Sequence, residues 1–170
     1  MSAARPGGQD LPFAVVILAG HASGGDGDRV NEMVQAAREV GADDIVVAAP
    51  RGWRAPAHAR VVHVAPVAPG APLISAVRAG MAQLSNTPAR YALLWPLGAP
   101  STDVGRLRAL VDDVQRERPS LAALEGDDLE RGPVMIARDA WLDLMTLGET
   151  GMAAVAERRG LHRVSAESAT

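Results

Sequence analysis

The chain contains no cysteine. Disulfides, thiol nucleophiles, iron–sulfur clusters and thiolate zinc sites are thereby excluded. Lysine is absent too, since all 17 basic residues are arginine. That absence accompanies the Ala-, Gly-, Pro- and Arg-rich composition that a GC-rich genome imposes. Its chemical consequence holds whatever its origin: no Schiff-base lysine, P-loop lysine or lysine phosphate clamp can exist here. Aromatics are scarce, at 3%. Trp53, Trp95 and Trp141 are too dispersed for a stacking platform and read as core or lid residues. A net charge of −3 leaves no broad basic surface, so nucleic acid and anionic membranes are not expected partners. No apolar run approaches the roughly 18 residues of a membrane span, and a soluble, cytoplasmic protein is expected. Residues 1–12 read as a flexible tail, because Met1 to Asp10 is small, polar and without the apolar segment of a signal peptide. Residues 166–170 read as a frayed end. The remainder, 13–165, fits one domain, as the 170-residue length allows.

What the chain does contain is an alternation of apolar runs and helical patterns. Phe13 to Ala19 is a continuous β-branched and aliphatic run that reads as a buried parallel strand. Arg29 to Val40 places Val30, Met33, Val34, Ala37 and Val40 at helical spacing, and Gly41 closes the helix. Strands are predicted over Asp44–Ala49, Arg60–Ala65, Tyr91–Leu97, Leu121–Leu124, Pro133–Ala137 and Leu161–Val164. Helices are predicted over Leu73–Leu84, Val104–Arg116, Ala140–Leu147 and Gly151–Arg159, with Thr102 or Ser101 as N-cap of the second of these. Alternation of this kind argues for an α/β three-layer sandwich: a mostly parallel twisted sheet with helices on both faces.

In an open α/β sheet, ligands lie beyond the carboxyl ends of the strands. After the first strand comes Gly20-His-Ala-Ser-Gly-Gly-Asp-Gly-Asp28. Its glycines and Ser23 suit a phosphate cradle at a helix N-terminus. Asp26 and Asp28 argue against one, since two carboxylates repel an anion unless a cation intervenes. They equally suit a flexible acidic loop that caps its helix, and both readings stand. The fourth strand exits through Trp95-Pro-Leu-Gly-Ala-Pro100. A metal-dependent enzyme needs a carboxylate there, whereas Gly98 and Ala99 offer no side-chain ligand. Asp103 is expected in the first turn of the next helix. His58, His63 and His162 are scattered without i, i+4 pairing, so a zinc site is not expected. Ser75 has no assignable His/Asp partners, so a hydrolase triad is unsupported. Asp112-Asp113 and Glu125, Asp127 and Asp128 read as solvated positions.

Val16-Ile-Leu-Ala-Gly20, Gly70 to Gly80, Leu93 to Pro100, Arg131 to Arg138 and Leu147 to Gly151 occur in an order that resembles the MobA-like nucleotidyltransferases. That family includes molybdopterin guanylyl- and cytidylyltransferases, and the likeness spans about Ala14 to Val164. It implies a nucleotide-diphospho-sugar transferase, Rossmann-like fold, with nucleotide contacts at Leu18, Ala19, Gly20, Ser23, Ser75, Gly80 and Gly98. Departures from the family pattern fall on the chemistry. The signature lysine is missing, and the metal-binding Asp expected after the fourth strand matches Gly98. Arg29 and Glu149 are the catalytic candidates, and Asp26 and Asp28 the metal candidates. The expectation is a degenerate member that binds a nucleotide or a protein partner. The alternatives are an active enzyme taking Mg²⁺ and an NTP, CTP or GTP, through a rebuilt site, and a pure interaction or assembly protein.

Overall fold

Aliphatic runs become central strands where both faces of the strand can be buried, and this chain supplies several. The computed structural model describes residues 10–20, 26–54, 62–99, 103–147 and 151–166. Its strands are β1 (Phe13–Leu18), β2 (Asp44–Pro50), β3 (Val62–Val67), β4 (Tyr91–Pro96), β5 (Leu121–Leu124), β6 (Val134–Ala137) and β7 (His162–Val164). Its helices are α1 (Gly27–Glu39), α2 (Leu73–Leu84), α3 (Val104–Glu117), α4 (Trp141–Leu147) and α5 (Met152–Arg159). One seven-stranded sheet runs in the order β3-β2-β1-β4-β6-β5-β7. β1 pairs in parallel with β2 and β4, β2 with β3, and β5 with β7. The exception is β6, antiparallel to both β4 and β5. The expected mostly parallel α/β fold is the observed one.

Period-two alternation along β1 sends its side chains into two cores. Phe13, Val15 and Ile17 meet Met33 and Val34 of α1, Leu107 and Leu110 of α3, and Trp95 of β4. Ala14, Val16 and Leu18 face the opposite layer, with Val77, Met81 and Leu84 of α2, Leu144 of α4 and Val155 of α5. All six residues of β1 are buried, which is why its sequence reads as an unbroken apolar run rather than an alternating one.

The helix ends follow local chemistry. Gly41 adopts φ +92°; its N–H donates to Arg38 O at 3.0 Å, while Ala42 N–H donates to Ala37 O at 3.1 Å. These are the paired bonds that close a helix on a left-handed glycine. At α3 the expected caps, Ser101 and Thr102, lie outside the described residues. The N-cap is Asp103, whose side chain accepts from Gly105 N–H at 2.8 Å.

Other expectations need correction. β3 is shifted two residues from the predicted Arg60–Ala65 and includes Pro66; Arg60 and Val61 lie outside the described residues. As an edge strand it has only β2 to bond, so a residue without an N–H is tolerated there. The acidic clusters are not simply solvated. Asp113, 13% exposed, accepts from Arg116 and sits 2.6 Å from His162 Nε2, joining α3 to β7. Asp127 pairs with Arg106 at 3.0 Å. Arg138 donates to the carbonyls of Ser85, Thr87 and Ala89, each at 2.8 Å, and lies 4.8 Å from the Trp141 ring centroid. That planar fork fixes the entry to β4 in a way an ammonium could not.

Candidate functional site

The carboxyl ends of β1 and β4 lie side by side, because Leu18 is in register with Pro96. Beyond the last pair, Leu97 N–H donates to Leu18 O at 3.0 Å, and Ala19 N–H donates to Ala48 O at 2.8 Å. The Ala19 amide is therefore committed to the sheet. A tight turn follows β4, with Ala99 N–H donating to Pro96 O at 3.0 Å. Pro96 restricts the backbone at its start.

Several residues singled out from the sequence converge here. Leu18 ends β1, and Ala19 and Gly20 follow it directly. A Cβ placed on Gly20 would lie 3.8 Å from the Cβ of Ala76, so Gly20 itself sits against α2 at the residue that follows Ser75 in sequence. Gly98 occupies the β4 turn, exposed, and a Cβ there would meet nothing within 4 Å. Arg29 crosses from the first turn of α1 to the same turn, where its Nη2 donates to Ala99 O at 2.6 Å. Glu32 lies 4.0 Å from its Nη1.

Other candidates sit elsewhere. Gly80 is buried on the α2 face that rests on β1. A Cβ there would stand 2.4 Å from Val16 Cγ1, so this glycine allows close helix–strand approach. Asp26 holds the N-cap position of α1, but its side chain makes no capping hydrogen bond; Asp28 lies in the first turn, exposed. Ser23 and Glu149 lie outside the described residues, as does His58. His63 is exposed on β3.

A divalent ion would need oxygen ligands converging within about 2–2.6 Å of one point. The β4 turn supplies none from a side chain, and no group of three His, Asp or Glu converges among the described residues. The described residues do not fit a Mg²⁺ site.

The turn separates two cavities. Pro96 borders the first, of about 240 Å³, walled by Leu18, Leu73, Ile74, Val77, Leu94 and Met152, with Glu130 at its edge. Ala99 borders the second, of about 250 Å³, on the α3 side with Asp103, Arg106 and Asp127. Sequence reasoning missed the first cavity's walls, because apolar residues on α2 carry the same signal as core residues. Glu130 was missed as well. Its Oε1 accepts from Met152 N–H at 2.7 Å, closing the N-terminus of α5 where a carboxylate is favoured.

Solved structures share this fold. Rv0371c from Mycobacterium tuberculosis superposes with a TM-score of 0.68 at 18% identity, over 92% of this chain and 88% of that one. The 2-C-methyl-D-erythritol 4-phosphate cytidylyltransferase of Thermus thermophilus gives 0.65 at 18%, over 94% and 91%. A CMP:2-keto-3-deoxy-manno-octonic acid synthetase complexed with CTP gives 0.61 at 9%, over 92% and 90%. The chain shares the α/β fold of these structures, of the nucleotide-diphospho-sugar transferase, Rossmann-like kind. Rv0371c is also known as a manganese complex, which superposes at 0.64 and 17% identity over 92% and 89%. No protein-family model and no curated protein matches the sequence. Among the described residues no helix is long and apolar enough to cross a membrane.

Proposed function

We propose that this chain is a MobA-like protein that keeps the nucleotide-binding crevice of its fold and has lost nucleotidyl transfer. The observation carrying this reading is the end of β4, where Gly98 stands exposed without a side chain. A carboxylate there would hold the metal that gathers triphosphate charge, and a lysine from the β1 loop would neutralise what remains. Each such electrostatic contribution is worth several kcal/mol, on the order of a hundredfold or more in rate. The chain has neither group.

CTP and GTP are the nucleotides to try, CTP because one structural neighbour holds it and GTP because the resembled family includes guanylyltransferases. The test combines calorimetry with each nucleotide and a pyrophosphate assay with Mg²⁺ and candidate acceptors. Binding without pyrophosphate release is the expected result. Robust turnover overturns the proposal, and absence of binding by any nucleotide favours a protein-partner or assembly role instead.

One observation favours an active, rebuilt site. Arg29 reaches the β4 turn, so a cation stands at the crevice even without lysine. On that reading Asp26→Ala or Glu149→Ala abolishes Mg²⁺-dependent nucleotide binding; unchanged binding in both variants removes it.

A further inference from the structure

The indole of Trp95 carries a donor that the fold leaves unused. Trp95 is fully buried, and its Nε1 has no hydrogen-bond partner among the described residues. Trp141 shows the ordinary arrangement, donating from Nε1 to Ile136 O at 3.0 Å. A buried indole N–H normally finds such an acceptor, because an unpaired one has lost its hydration and gained nothing in exchange.

The second cavity lies on the same face of the sheet as this indole. Val134 pairs with Leu94 on one side and with Ala123 on the other. Continuing both registers by one residue sets Trp95, Pro133 and Leu124 in one row, and Pro133 and Leu124 are walls of the cavity. Ala99, Leu107 and Leu124, three of its walls, pack in one core cluster with Trp95. The first cavity lies on the opposite face, where Leu18, Val77 and Leu94 belong to the other core.

The walls narrow the ligand. Ionic groups at the rim are engaged by the protein itself: Arg106 Nη2 donates to Asp127 Oδ1 at 3.0 Å, and Asp103 accepts from Gly105 N–H as the cap of α3. A charged ligand would have to break or strain these ties. The remaining walls, Ala99, Leu107, Leu124 and Pro133, are buried hydrocarbon. A water among them would meet one donor, whereas an ordered internal water makes two to four hydrogen bonds. One donor satisfies a carbonyl oxygen, and apolar walls suit the rest of its molecule. The volume of about 250 Å³ is adequate, since a dry cavity of about 150 Å³ already admits benzene.

We infer that the second cavity binds a small uncharged molecule whose carbonyl oxygen accepts from Trp95 Nε1–H. It lies across the β4 turn from the nucleotide side, so each ligand can bind without the other.

Cyclopentanone, its isostere methylenecyclopentane and cyclopentanecarboxylate are titrated into the full chain without nucleotide. The indole ¹H–¹⁵N cross-peaks of Trp95 and Trp141 are followed, together with the ¹³C-methyl resonances of Leu107 and Leu124. Cyclopentanone should shift both leucines and move the Trp95 indole proton downfield, as a new hydrogen bond does. Trp141, already bonded to Ile136 O, should stay in place. Methylenecyclopentane, which lacks the acceptor, should bind about threefold to tenfold more weakly, the worth of one neutral hydrogen bond, and leave the Trp95 proton without the downfield shift. The carboxylate should bind more weakly than cyclopentanone. Trp95→Phe should bring the two uncharged probes to equal affinity, with an unchanged Trp141 cross-peak showing that the variant is folded; the comparison of probes in the parent chain stands without it. A Trp95 proton that cyclopentanone does not move overturns the inference. So does binding of methylenecyclopentane or of the carboxylate to the parent at least as tightly as cyclopentanone.

Discussion

Two glycines that the sequence pattern marks alike have opposite physical roles. Gly98 is exposed with open space where a Cβ would project, so nothing in its surroundings demands glycine. Gly98→Asp should leave stability within about 0.5 kcal/mol of the parent, as for surface positions free of special contacts. Urea denaturation measures this, and a loss above about 1 kcal/mol would show a constraint that the open space does not account for. The missing carboxylate is thus a difference of chemistry, with no packing reason behind it. Gly80 differs. Its Cβ would press into Val16 Cγ1 at 2.4 Å, and Val16 belongs to the fully buried β1. Gly80→Ala should destabilise by about 1–3 kcal/mol, the usual range for overpacking. Adding Val16→Ala removes the clash, so the double variant should be more stable than the sum of the two single losses. Strict additivity in that cycle counts against direct contact. The family resemblance implies nucleotide contacts at both Gly80 and Gly98, and a glycine does not announce whether it yields space to a ligand or to a neighbouring strand.

Between elements, the clearest electrostatic tie joins α4 to α5. Asp143, nearly buried, accepts from Arg159 Nε at 2.6 Å, with Arg158 Nε 3.6 Å away. The hydrogen bond from Arg159 holds its carboxyl below the ordinary carboxylate value, and the two positive charges add to this while partial burial opposes it. A carboxylate with a lowered folded-state pKa contributes stability that is fully present above the ordinary value of about 4. That contribution is lost as pH falls through the lowered value, when the acid protonates and the arginines lose their partner. Asp143→Asn should therefore flatten the acid limb of the stability profile below about pH 4, measured by urea midpoints at stepped pH. A variant as acid-sensitive as the parent removes Asp143 from the account. Contacts of this type were beyond sequence reading. Asp143 and Arg159 are 16 positions apart, and Asp113 and His162 are 49, so charge patterning along one helix could not pair them. Helix and strand identities were legible, because continuous runs such as Phe13–Leu18 and helical spacing such as Val30, Met33, Val34 and Ala37 belong to local periodicity. Ends were less so. Three cap-competent residues, Ser101, Thr102 and Asp103, stand in a row, and local propensity cannot choose between them.

At the scale of the whole molecule, the sheet explains both what was readable and what was not. Buried parallel strands announce themselves, and the rule that ligands lie beyond their carboxyl ends is what points to the β1 and β4 exits. Strand order was not readable. β6 enters between β4 and β5 in the opposite direction, and Val134–Ala137 carries no mark of direction. The order also sets a gradient of stability. β1 and β4 pair on both sides and are buried on both faces, with Val15, Val16, Ile17, Leu93 and Trp95 fully enclosed. β7 has three residues and one neighbour, and β3, also with one neighbour, exposes His63 and Val64. Strands buried on both faces open only when both cores separate, whereas edges can fray alone. Amide exchange should accordingly divide the sheet. Val15–Ile17 and Leu93–Trp95 should exchange only through global unfolding, with opening free energies equal to the stability from urea denaturation. His162–Val164 should exchange faster by at least about tenfold, a difference of about 1.4 kcal/mol. Removing the Asp113–His162 tie with His162→Ala should widen that gap, because it joins β7 to α3, and leave the β1 rates altered only by the change in global stability. If β7 exchanges as slowly as β1 in the parent, the sheet opens as one unit and the two cores are not separable from their edges.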